Sequence, residues 1–155
     1  MKQHSLLFVF IVWVCGFGIF SCLARRVIYF QVKRLHLSPL LSYLLILFPI
    51  ILIEEYLTIE VPYFWGILPM IVTFSIFFLV PYIIQRYLHC PAWLMIILTG
   101  VLGWLNEFLL VGRIHQMNGL VLGIMSILCW MIYAVMAILP STYLQYWYIE
   151  KKKIQ

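Results

Sequence analysis

Charge is what this sequence has least of. Only 10% of its 155 residues are charged, and its five acids are all glutamates: Glu54, Glu55, Glu60, Glu107 and Glu150. Soluble domains average about 25% charged residues, so a fold of this size in water would lack polar surface. Cysteine is scarce as well. Cys15, Cys22, Cys90 and Cys129 match no zinc spacing and no disulfide framework, and read as small buried hydrophobes or free thiols. Internal repeats, low-complexity tracts and linkers are absent. No DNA- or RNA-binding motif accompanies the net charge of +5, so nucleic acid is not an expected partner. The basic excess reads instead as loop charge on the cytoplasmic face of a membrane.

What is there is hydrophobic. Such residues make up 66% of the chain, and the mean hydropathy is +1.08. The bilayer is the natural solvent for this composition, which predicts a single transmembrane domain over residues 1–155. The apolar runs place spans at about 6–23, 39–58, 64–84, 91–111 and 119–139. At 1.5 Å per residue these are roughly 27–32 Å long, against a hydrocarbon core of about 30 Å. Residues 25–37 form a basic connector suited to the cytoplasmic membrane surface. Pro140-Ser141-Thr142 ends the last run, leaving residues 140–155 as a cytoplasmic tail. Pro39 and Pro91 suit first-turn positions, and Glu60-Val61-Pro62-Tyr63 reads as a tight turn. Tyr63, Trp65, Tyr82, Tyr87, Trp93 and Tyr143 to Tyr148 fall near span ends, as an interfacial aromatic belt does.

The fold class expected is therefore all-α: a polytopic integral membrane protein with a bundle of five transmembrane helices. Charge orients it. Arg25, Arg26, Lys33, Arg34, Arg86, Lys151, Lys152 and Lys153 share one side, against Lys2 and Arg113 on the other. That bias places the N-terminus outside and the C-terminus in the cytosol. Reading Leu6 to Leu23 as a cleaved signal peptide, with Ile19-Phe20-Ser21-Cys22 as its box, would send the connector's cations outward against the same rule.

The stretch Gly100 to Asn118 concentrates polarity. Glu107 lies about 24 Å along its span and Glu54 about 21 Å along its own, counted from the cytoplasmic ends. Two acidic sites on separate spans thus arrive in the outer leaflet at similar depth. Gly100, Gly103 and Glu107 share one helical stripe, where small residues admit a neighbouring helix and turn Glu107 toward protein. Gly119 and Gly123 form a GxxxG match at the start of the fifth span. The candidate polar cluster is Glu54, Glu55, Asn106, Glu107, Arg113 and His115; Gly100, Gly103, Gly119 and Gly123 are candidate helix-packing positions. Arg113 reads as an ion-pair partner of Glu107. His4 and His115 lack ligand spacing, so no metal and no cofactor are expected.

Three functions compete. The first is a non-enzymatic membrane subunit binding a partner protein or lipid, a homo-oligomer included. The second is an intramembrane enzyme acting on a lipid or isoprenoid, with Glu54, Glu55 and Glu107 as acid and base groups. The third is a small transporter or channel component with the same acids along a path. Glu54-Glu55 resembles the paired glutamates of intramembrane prenyl-protein proteases, but Tyr56 to Ile59 supplies no following arginine, so the likeness stops at two residues. Lys152 and Lys153 resemble the dilysine retrieval signal of endoplasmic-reticulum membrane proteins; in a bacterial cell membrane the same residues anchor topology.

Overall fold

A computed structural model describes residues 8, 10–58, 64–110 and 119–154. Every element among them is a helix. Helix α1 is Phe10–Lys33, and its first stretch, Phe10–Phe17, is π-wound. Helix α2 is Pro39–Thr58 and α3 is Phe64–Leu88. Helix α4 is Ala92–Leu105, continued by a π-wound turn, Asn106–Leu110. Helix α5 is Gly119–Ile154.

Local chemistry sets the ends. Ser38 Oγ accepts the Leu41 backbone N–H at 3.3 Å, satisfying one of the donors that a helix start leaves open. Pro39 follows in the first turn, where its missing N–H costs nothing. Pro91 precedes α4 in an extended conformation, and the Ala92 N–H is capped from across the bundle by Gln145 Oε1 at 3.0 Å. Helices α1 and α3 stop in similar ways. His36 and His89 adopt left-handed backbone angles, φ 51° and 52°, a conformation that ends a helix and that histidine tolerates better than most residues.

Three boundaries differ from the sequence expectation, α3 ending at Leu88 rather than near residue 84. Helix α1 does not end near residue 23; it runs through Arg25 and Arg26 to Lys33, so most of the 25–37 connector is a helical extension. Nothing between Gly18 and Lys33 breaks a helix, and arginine and lysine are good helix formers. Helix α5 likewise passes through Pro140. Thr142 Oγ1 donates to the carbonyls of Ile138 at 2.7 Å and Leu139 at 3.1 Å, and buried packing on all sides of residues 139–144 holds the turn together. A proline is tolerated in a packed helix when neighbours re-satisfy the freed groups.

Helix α5 is the axis of the molecule, with α1, α2 and α4 packed along it and α3 set against α2, α4 and α5. The core is built from large side chains: Trp13, Tyr43, Leu47, Ile51, Phe78, Met136 and Leu144 are almost fully enclosed. The C-terminal ends of α1, α3 and α5 meet at one pole. There Lys33 pairs with Glu150, Tyr29 packs edge-on to Tyr146, and Tyr148 donates its hydroxyl to the Arg86 carbonyl at 3.0 Å.

The outer face is apolar too. Among the described residues two helices, Phe10–Lys33 and Gly119–Lys153, are long and apolar enough to cross a membrane, and only 22% and 28% of their apolar windows are buried within the protein. Pro39–Glu54 and Ala92–Phe108 are shorter apolar helices. Leu23, Ile19, Leu120 and Ile127 stand outward. Exposed to water, such surface carries a cost of about 25 cal/mol per Å² that hydrocarbon removes, so the two long helices point to a membrane.

Candidate functional site

The polar centre of the fold lies where α2, α4 and α5 come together. Tyr133, in the middle of α5, is 5% exposed. Its hydroxyl donates to Glu107 Oε1 at 3.0 Å. Glu107 sits in the first turn of the π-wound segment after α4, a helical distortion frequent at functional sites. Glu54 is buried near the end of α2.

Glycine makes this approach possible. A Cβ at Gly103 would lie 2.0 Å from Tyr133 Cγ and 2.3 Å from its Cδ2, so the phenol ring lies directly over the bare backbone and reaches one turn onward to Glu107. At Gly100 a Cβ would meet Trp130 Nε1 at 2.7 Å and its carbonyl oxygen at 2.8 Å. Cys129 Sγ approaches the Gly103 carbonyl at 3.9 Å. Phe74 and Phe77 of α3 close the other side of Tyr133, with ring centroids 6.0 and 5.8 Å away. The Tyr133–Glu107 bond is part-buried beside these rings, and a hydrogen bond is electrostatically stronger in a low-dielectric interior than in water.

The remaining sequence candidates divide. Asn106 opens the π-wound turn and is half-buried. Arg113 and His115 lie outside the described residues, and Glu55 is placed on α2 with its side chain outside them. Gly119 and Gly123 are exposed, with no described residue within 4 Å of where a Cβ would stand. None of the four cysteines is in a disulfide; Cys15 and Cys22 are exposed and Cys90 and Cys129 half-buried. No group of three or more metal-ligating side chains occurs among the described residues.

Two features escape a reading by hydropathy alone. Tyr133 has a signal, since it is a tyrosine at mid-run, far from the span ends where tyrosine gathers. Gln85 has none. It falls in what reads as a polar loop, QRYLHC, yet it lies within α3 and is fully buried. Its Nε2 donates to the Ser141 carbonyl at 2.9 Å and to that of Cys90 at 3.4 Å. No protein-family model, curated protein or solved structure matches the chain.

Proposed function

We propose that this chain is a multi-pass integral membrane protein of five spans, N-terminus outside and C-terminus cytosolic, that serves as a non-enzymatic membrane subunit. Its partners are bilayer lipid and another membrane protein or a second copy of itself. One observation carries the reading: the half-buried acid Glu107 is engaged in joining two helices, through Tyr133, while the small-residue face at Gly119 and Gly123 is open among the described residues. The acids thus act inside the bundle, and the surface suited to close helix approach points outward. The meeting of the α1, α3 and α5 ends at one basic pole supports the orientation.

A transporter component is the second reading, supported by the burial of Glu54 within the bundle and by Glu107 at the joint of α4 and α5, since acids within a bundle often line ion paths. Reconstitution separates the two. For a subunit, proteoliposomes containing the chain pass protons and sodium at the rate of empty vesicles, Glu107→Gln changes nothing, and a Gly119→Leu, Gly123→Leu pair shifts the assembly size in mild detergent. Ion flux that Glu107→Gln abolishes would replace the subunit reading with transport. Turnover of an isoprenoid or lipid lost in the same variant would replace it with an intramembrane enzyme.

A further inference from the structure

A cavity of about 160 Å³ opens at the basic pole, between the end of α3 and the last turns of α5, lined by Arg86, His89, Trp147, Tyr148, Lys151 and Lys152. No acid is in its wall. The nearest acid in sequence, Glu150, is held by Lys33 of α1. Two of the cations, Arg86 and Lys151, lie against aromatic rings. The Arg86 guanidinium lies 4.8 Å from the centre of the Trp147 ring and 5.9 Å from that of Tyr148. Lys151 Nζ is 5.3 Å from the Trp147 ring. The His89 ring meets Tyr148 edge-on at 4.7 Å, and the backbone of both α3 and His89 is fixed: Tyr148 holds the Arg86 carbonyl, and the His89 N–H holds the Gln85 carbonyl at 3.1 Å.

A flat guanidinium stacked on an indole keeps its N–H edges available in a fixed fork, the geometry that matches phosphate oxygens. Two lysines beside it and no competing carboxylate select for high negative charge. The aromatic floor supplies an apolar surface next to that charge, and a lipid headgroup phosphate has the same combination, an anion attached to a glycerol and acyl chains. A basic anchor alone attracts anionic surfaces diffusely; a walled cavity binds one group at a time.

We propose that this cavity is a phosphate-binding site that takes the headgroup phosphate of an anionic lipid, Arg86 forking the oxygens and Lys151 and Lys152 neutralising the charge. The proposal rests on the membrane reading above. The test uses the full chain in nonionic detergent, with one-to-one binding followed by native mass spectrometry and calorimetry. Dioctanoyl phosphatidic acid is expected to bind saturably, one per chain, and dioctanoyl phosphatidylcholine not to compete. Arg86→Gln, and Lys151→Gln with Lys152→Gln, are each expected to weaken binding at least tenfold, while Lys153→Gln, outside the cavity, leaves it unchanged. Inorganic phosphate in competition distinguishes the source: displacement at millimolar concentration supports a site that reads the phosphate alone, and failure to displace supports a site that also reads the lipid. Binding that does not saturate, or that survives both charge-removing variants, overturns the site. Unchanged thermal melting of the variants shows that a loss of binding is not a loss of fold. Membrane partition under carbonate extraction tests the parent reading separately, because a chain that stays in the membrane yet binds no phosphate lipid sinks this inference alone.

Discussion

A missing side chain at position 103 decides where the ring of Tyr133 lies. Gly103→Ala puts a carbon 2.0 Å from Tyr133 Cγ, and the obstacle is a ring enclosed by Phe74 and Phe77, not the free end of a flexible chain. Overpacking of this kind costs about 1–3 kcal/mol. Gly123→Ala meets open space and is expected to stay within about 0.5 kcal/mol of the parent; denaturant unfolding followed by tryptophan fluorescence compares the two. Tyr133→Phe removes the bond to Glu107. Polar contacts between membrane helices average about 0.6 kcal/mol in double-mutant cycles, well below the overpacking cost, so Gly103→Ala is expected to destabilise more than Tyr133→Phe in the same assay. The glycine stripe is visible in the sequence from its spacing. Its counterpart Tyr133 is not, because spacing on one helix carries no information about which residue of another will lie over it.

At the scale of elements, the joints between helices are made by groups that hydropathy cannot rank. Pro140 is a strong stop signal in sequence, yet α5 continues to Ile154, its turn at 139–144 enclosed on all sides and braced from α3 by Gln85, which donates to the Ser141 carbonyl. Replacing Gln85 by Leu keeps the volume but leaves the Ser141 and Cys90 carbonyls without that donor. A buried hydrogen-bond loss of about 1–3 kcal/mol is expected, seen as lower thermal stability in detergent and faster amide exchange around residues 139–145. The end of α1 is tied to the end of α5 by Lys33 and Glu150. The Lys33 ammonium, and then the Tyr29 hydroxyl, hold the Glu150 carboxyl below its usual range. The contribution is therefore present above the ordinary carboxylate range and disappears as pH falls through the lowered folded value. Surface pairs contribute under about 1 kcal/mol. Wild type and Glu150→Gln are expected to differ slightly in melting temperature at pH 7 and to converge as pH falls below the ordinary carboxylate range.

For the whole molecule, the sparse charge and the long apolar runs announce helices, and every described element is one, although α1 and α5 run well past the ends of their apolar runs. The limits of legibility are physical. Helix ends depend on which neighbour supplies a cap, as Gln145 does for Ala92, and long-range caps leave no local trace in sequence. The pole where α1, α3 and α5 end gathers Lys33, Arg86 and Lys151 to Lys153, residues that the positive-inside rule already groups on one side. The central claim, a five-span bundle with this pole in the cytosol, is tested most directly by single-cysteine labelling with a membrane-impermeant maleimide. The background is a chain in which Cys15, Cys22, Cys90 and Cys129 are alanine. Cysteines introduced at His36, His89 and Lys153 are expected to label only after the cytosolic face is opened, and those at Glu60 and His115 from outside in intact cells. Labelling of positions 89 and 115 from the same face would contradict the account.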